Sequence, residues 1–140
     1  MIYLAQTDTT VGFLSKNLEE INALKGRNKN QPCLITTAKF SELKSLARVS
    51  NLFKNYVRRA KKTTFIYANK KAIRVVKDCK HAEFLKKNGY FYSSSANQHG
   101  CKFDEEWARS VADIILDENF FENIPSKILK LSKNKMIKIR

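Results

Sequence analysis

The sequence predicts an α/β fold, one domain over residues 1–140 built on a twisted, mixed sheet. Three observations carry that expectation. Short apolar runs of strand length alternate along the chain with stretches whose apolar residues recur at helical spacing. Hydrophobic residues make up 43% of the chain and are spread along it, enough to bury roughly two thirds of the unfolded surface. Only 4 Gly and 2 Pro are present, which excludes a collagen-like, low-complexity or disordered chain.

Taken in order, residues 1–5 read as a short buried strand that ends in the hydroxyl-rich turn Thr7-Asp8-Thr9-Thr10-Val11-Gly12. A helix follows. Asn17 is its cap, Glu20 stands at the capping-box position, Leu18, Ile21 and Leu24 form the apolar stripe, and Gly26 supplies the stop. Residues 33–37 are β-like, and the next helix sets Phe40, Leu43, Leu46 and Ala47 on one face. A basic helix covers residues 52–60, and strands over 63–68 and 72–76 flank the polar Asn69-Lys70-Lys71, a hairpin signal. Residues 81–87 are helical and stop at Asn88-Gly89, and residues 90–92 form a short strand running into the loop Ser93-Ser94-Ser95-Ala96-Asn97. Asp104 caps a helix whose apolar positions are Trp107, Val111 and Ile114 or Ile115, and β-like runs at 127–131 and 136–139 finish the chain.

Charge is unevenly placed. The chain holds 27 Lys and Arg against 13 Asp and Glu, a formal net charge of +14, and residues 51–87 alone carry +10. A field of that size draws in polyanions, most naturally a phosphate backbone, although a solvated basic face kept for solubility fits the same composition. Phe53, Tyr56, Phe65 and Tyr67 lie within the basic segment and read as core residues before they read as base-stacking platforms. The apolar start of the chain falls far short of the ~20 residues a membrane span needs, so a cytoplasmic location with no membrane contact is expected. Cys33, Cys79 and Cys101 leave one thiol unpaired in any disulfide scheme, and a reduced compartment is the natural expectation. The spacing of Cys79 and His81, and of His99 and Cys101, is tighter than structural zinc sites use, so these read as ordinary thiols and loop histidines with no structural metal.

Three polar clusters stand where strand or helix patterns end, the positions at which open α/β sheets bind ligands. They are the Thr-rich turn, Lys25-Gly26-Arg27, and Ser94-Ser95-Ala96-Asn97. In the second, two cations flank a residue without a side chain and can converge on one anion; taken alone they read first as basic groups complementing a helix C-terminus. In the third, Ser95 and Asn97 taken alone read first as a turn that bonds its own backbone. No Walker-type phosphate loop is present, and two histidines offer no nucleophile with a His and carboxylate partner.

Together the pieces resemble the YrdC-like family. The resemblance rests on Thr7-Asp8-Thr9-x-x-Gly12, on Lys25-Gly26-Arg27 with Pro32 beyond it, on Ala72-Ile73-Arg74, on Ser94-Ser95-Ala96-Asn97-x-x-Gly100 and on Pro125-Ser126-x-Ile128. These occur in the family's order over nearly the whole chain, with Arg140 where the family has an arginine after its last strand. The resemblance implies a sheet with helices around a large basic cavity. It implies L-threonylcarbamoyladenylate synthesis, in which L-threonine, bicarbonate and ATP, with Mg2+ accompanying the nucleotide, give threonylcarbamoyl-AMP and pyrophosphate for the threonylcarbamoyladenosine modification of tRNA. Partner proteins of that pathway are implied as well. Lys25 and Arg27 would be catalytic, neutralising charge on the phosphates, and would bind the nucleotide with Thr64, Ser95, Asn97, Ser126 and Arg140. Thr7, Arg74 and Ser94 would hold threonine and its carbamate, and no protein metal ligand is implied.

The chain departs from the family's pattern at Gln6, Val11 and Asn28, at Lys61 and Lys62 in place of a Pro-Gly pair, and at Lys127. The stretch between Gly12 and Lys25 is shorter than the family's, and the first strand begins without the usual leading segment; both point to a more open cavity. A second expectation is a YrdC-like module that binds tRNA or double-stranded RNA with little or no synthase activity, which the +10 segment favours.

Overall fold

The computed structural model describes residues 1–121 and 123–140. The first strand, β1 (Tyr3–Gln6), turns back through the Thr-rich segment into β2 (Val11–Ser15), a strand unforeseen in the sequence. Every residue of β2 is buried, so it shows none of the alternation that marks a half-exposed strand. Gly12 suits the close approach there, because a Cβ at this position would crowd Thr7 Cγ2 at 3.1 Å and the Ser94 carbonyl oxygen at 3.3 Å.

Helix α1 (Leu18–Leu24) starts at Asn17, whose side chain accepts from the Glu19 N–H at 2.9 Å. The reciprocal half of the capping box is absent: Asn17 N–H donates to Ser15 Oγ, and Glu20 accepts from the Ser15 hydroxyl and the N-terminal ammonium. Strand β3 (Leu34–Thr37), helix α2 (Phe40–Leu46), a 3-10 turn (Asn51–Phe53) and α3 (Lys54–Arg59) lead to the expected hairpin of β4 (Thr63–Ile66) and β5 (Ala72–Val75). Helix α4 (Lys80–Asn88) follows, and β6 (Phe91–Ser95) carries the strand through the serines expected to be loop. Pairing with β2 on one side and β3 on the other overrides the weak β preference of serine.

Helix α5 (Glu105–Val111) is capped by Asp104, which accepts from Trp107 N–H, but it stops before Ile114. Ile114–Ile115 form β7, parallel to β1, and not a last helical turn. Strands β8 (Lys127–Leu131) and β9 (Met136–Lys138) close the sheet. The order is β7-β1-β2-β6-β3-β5-β4-β8-β9, with parallel pairs β1/β7, β3/β5 and β4/β8 among antiparallel neighbours.

Side-chain alternation divides the core. Leu4, Phe13 and Ile21 pack with Ala108 and Trp107, while the neighbouring Ala5 and Leu14 point the other way, toward Ala82, Leu85 and Phe91 beneath α4. A third cluster joins Ile35, Ile73, Phe65 and Leu129 to α2 and α3. Phe53 and Tyr67 belong to it and are core residues, whereas Tyr56 stays half exposed with its ring edge-on to Phe65.

His81 is helical and buried, not a loop residue; it stacks on Phe84, and its Nε2 has no hydrogen-bond partner among the described residues. Burial lowers its pKa from 6.5 to about 4, with Asp8 opposing the shift. The fold therefore needs the neutral ring, and this stability is complete above pH 6.5 and lost as pH falls toward 4. Urea melts of wild type and His81→Gln at pH 7 and pH 5 are expected to show wild type losing about 2 kcal/mol relative to the variant. Parallel losses in the two proteins would show the imidazole to be freely protonated.

Candidate functional site

Sheet register decides what faces the open side of the molecule. Thr64 pairs with Ile128 and Ile66 with Ala72, and these side chains, with Arg74 two residues along β5, line a cavity of about 400 Å3. One wall is the β1–β2 turn with Thr7, Thr9 and Gly12; the other is Ser93, Ser94 and Ser95 of β6, with Cys33 and Arg27 beside them. Ser126 and Arg140 complete the rim. Small hydroxyl-bearing side chains occupy this face, which leaves the space.

Of the ten residues expected in the site, all except Lys25 and Asn97 line this cavity. Three form one connected group. Thr64 Oγ1 and Ser126 Oγ are 3.0 Å apart, and the Arg140 guanidinium donates to the Ser126 carbonyl oxygen through Nε at 3.0 Å and Nη2 at 2.9 Å. Opposite, Arg27 Nη2 donates to Ser94 Oγ at 3.3 Å. Arg74 is buried and paired with Asp8, its Nε 3.2 Å from Asp8 Oδ1. The Thr7 hydroxyl donates to the Thr10 carbonyl oxygen and accepts from Thr9 N–H at 3.2 Å, so it also shapes its own turn.

The two cations of Lys25-Gly26-Arg27 diverge. Gly26 takes a left-handed φ of +67°, which turns the chain sharply between them. The buried Lys25 ammonium is directed at the loop after β6, donating to the Ser95 carbonyl oxygen at 2.9 Å, to Asn97 Oδ1 at 3.2 Å and to the Asn97 carbonyl oxygen. Three N–H donors meet three acceptors. Burial, with Arg27 adding to it, lowers the Lys25 pKa to about 8. Asn97 is likewise engaged in its loop: its amide donates to the carbonyl oxygens of Gln98 and Cys101, and its Oδ1 accepts from Ser95 Oγ. It lines a smaller neighbouring cavity of about 190 Å3 that shares Thr10 and Ser95 with the larger one.

Arg27, Arg74 and Arg140 are the charged side chains lining the large cavity, and no Asp or Glu among the described residues joins them. The site is built for anions. Two residues outside the expected set bear on its chemistry, Cys33 in the lining and Asp8 behind it. Cys33 donates its thiol to the Ser93 carbonyl oxygen at 2.9 Å, and burial raises its pKa despite nearby Arg27. Asp8 stands behind Arg74; the signal for both was adjacency to Thr7 and Pro32, residues already singled out. No cluster of His, Cys, Asp or Glu that could hold a metal occurs among the described residues. Arg58, Arg59, Lys61 and Lys62 are exposed on and just beyond α3, and no described helix is long and apolar enough to cross a membrane.

No family model and no curated protein matches the sequence. Solved structures do. Sua5 of P. abyssi, determined in complex with L-threonine, superposes at a TM-score of 0.82 with 17% identity over 99% of this chain and 49% of its own. YciO of E. coli superposes at 0.78 with 17% identity, over 99% of this chain and 82% of its own. The fold is YrdC-like. HypF, in its phosphate- and nucleotide-bound form, contains the same fold over 26% of its length, at a TM-score of 0.73 and 16% identity. The present chain thus spans about half the length of the Sua5 protein. The YrdC-like superposition runs through the turn, β6 and C-terminal strands that build the cavity.

Lys25 and Arg27 should differ in what they hold up. Lys25→Ala strips the donor from two loop carbonyls and is expected to cost about 2 kcal/mol of stability. Arg27→Ala, half-exposed at the cavity wall, is expected to cost less than about 0.5 kcal/mol. Denaturant melts read both, and equal losses would contradict the division.

Proposed function

We propose that this chain is an L-threonylcarbamoyladenylate synthase of the YrdC-like family, converting L-threonine, bicarbonate and ATP to threonylcarbamoyl-AMP and pyrophosphate for tRNA modification. The observation that carries the reading is the cavity with three arginines and no carboxylate. It suits a substrate set made of anions: a nucleoside triphosphate, an amino-acid carboxylate and a carbamate. The structures of Sua5 with L-threonine and of HypF with nucleotide support it through the shared fold.

The chemistry asks for positioning and charge neutralisation. The threonine amine attacks the carbon of bicarbonate-derived carbon dioxide and loses a proton, forming a carbamate. A carbamate oxygen then attacks the α-phosphate in line, and the bond to pyrophosphate breaks with the electron pair leaving on the pyrophosphate oxygen. No protein nucleophile is consumed. Arg27 faces the transferred charge, Arg74 with Thr7 and Ser94 takes the threonine carboxylate and carbamate, and Thr64, Ser126 and Arg140 take the nucleotide. Lys25, with Ser95 and Asn97, acts at the nucleotide by fixing the loop that borders both cavities. The lining offers Mg2+ no carboxylate, so the ion would arrive as the substrate's own phosphate complex and no step depends on protein ligands to it.

A second reading, a YrdC-like module that binds tRNA or double-stranded RNA without synthesis, is favoured by the exposed basic groups Arg58, Arg59, Lys61 and Lys62. Some of the segment's charge is spent internally: Lys77 donates to the Ala60 carbonyl oxygen at 2.9 Å and to that of Arg58, at the end of α3. Cytoplasmic tRNA and partner proteins of the same pathway belong to both readings.

Incubation with all three substrates is expected to release pyrophosphate only when L-threonine is present, and Arg27→Ala should slow that release roughly ten- to a hundred-fold with the melt unchanged. Threonine-independent release, or none from wild type, overturns synthesis. Reversing Arg58, Arg59, Lys61 and Lys62 to Glu is expected to weaken binding to unrelated structured RNAs alike, with affinity falling as salt rises. An unaltered dissociation constant at low salt removes the RNA surface.

A further inference from the structure

Arg74 reaches the cavity from the middle of the sheet, and what stands behind it determines how its guanidinium is presented. The Nε edge faces Asp8 Oδ1 at 3.2 Å, with the two side chains 4% and 6% exposed. The contact is an ion pair and not a directed hydrogen bond, and neither buried atom has a hydrogen-bond partner among the described residues, so Asp8 is the one group set against this edge. Asp8 does not itself line the cavity. A guanidinium carries five N–H donors in a rigid plane, so an acceptor at the Nε edge fixes the plane and leaves Nη donors free.

The neighbours leave Asp8 without a rival. Burial disfavours the positive charge of Arg74, Asp8 opposes that, and nearby Arg140 adds a smaller unfavourable contribution. His81 on α4, close to both members of the pair, is held neutral by its own burial. Asp117 is nearby but occupied: its carboxylate accepts from the Gln6 N–H and from the Lys80 ammonium. Cys79 also lies near Arg74. Thr36 pairs with Arg74 in the sheet, but its hydroxyl donates to the Phe91 carbonyl oxygen.

We propose that Asp8 is a positioning residue, holding Arg74 by its Nε edge so that the Nη fork stands ready for the carboxylate of the amino-acid substrate. This rests on the reading above that Arg74 takes that carboxylate. A merely structural ion pair would behave differently: its loss would lower stability without selecting among ligands.

The test titrates wild type and Asp8→Asn by calorimetry with L-threonine and with L-threoninamide, which lacks the carboxylate, and measures KM for ATP. Wild type is expected to prefer threonine to its amide. Asp8→Asn should weaken threonine roughly ten- to a hundred-fold while leaving the amide and the KM for ATP unaltered. Threonine binding as tight in the variant as in wild type overturns the proposal. In wild type alone, nuclear magnetic resonance of the Arg74 Nε–H should show slow exchange with water. Exchange as fast as an exposed arginine's overturns the proposal even where Asp8→Asn fails to fold. Wild type that binds threonine yet releases no pyrophosphate would sink synthesis and leave the Asp8 comparison standing. Equal binding of threonine and its amide by wild type sinks the role of Arg74, and that of Asp8 with it.

Discussion

Three guanidinium groups share one cavity without a carboxylate among its lining residues, and much of the surrounding structure exists to hold them there. Like charges brought together at reduced dielectric repel strongly, and each needs a fixed partner to stay in place. Each has a different one. Arg140 is anchored on the Ser126 carbonyl, Arg27 on the Ser94 hydroxyl and Arg74 on the Asp8 carboxylate. Only the most deeply buried of the three has a charged counterpart, as the cost of desolvation demands: a neutral acceptor suffices at the rim but not beneath the sheet's surface. The remaining positive potential is directed at whatever occupies the cavity.

The sheet supplies the geometry that makes this possible. With residues alternating between faces, β4, β5 and β8 send Phe65, Ile73 and Leu129 into the core and Thr64, Arg74 and Ile128 into the cavity. Helix α4 covers the side of the sheet opposite Ile73, over Ala5, Leu14, Val76 and Phe91, and stops at Gly89. The same register that buries the core thus exposes the site, and a one-residue slip in β5 would exchange Arg74 for an isoleucine or valine.

Helix spacing, caps and the β4–β5 hairpin were legible in the sequence because each is local. What escaped was set by neighbours distant in the chain. Strand β2 is buried on both sides, so Val11 to Ser15 carry no alternation to read. The serines of β6 have weak strand preference and are ordered by the ladders to β2 and β3. Most of the expected site residues stand in an ordered set of motifs; Thr64 stands in none of them and came from the family resemblance, and it is the sheet that sets it beside Ser126 and Arg140. The expectation that Lys25 and Arg27 converge on one anion failed on side-chain direction: two residues apart, they serve different elements because Gly26 turns between them.

That divergence gives the two cations complementary duties. An ammonium with three donors is well matched to three converging oxygens, and the end of β6 provides them at Ser95 and Asn97. A planar guanidinium suits a phosphate or carboxylate approached from one side, and Arg27 keeps such a face on the cavity. Exchanging the two residues would leave a fork where three oxygens call for a point charge, and a point charge where the cavity offers room for a fork. The loop at Ser95 and Asn97 borders both cavities, so the lysine that holds it also fixes where one compartment ends and the other begins. On the proposed reading, ligand recognition on the arginine side would depend on a lysine that need not touch the ligand, just as recognition at Arg74 would depend on the aspartate behind it.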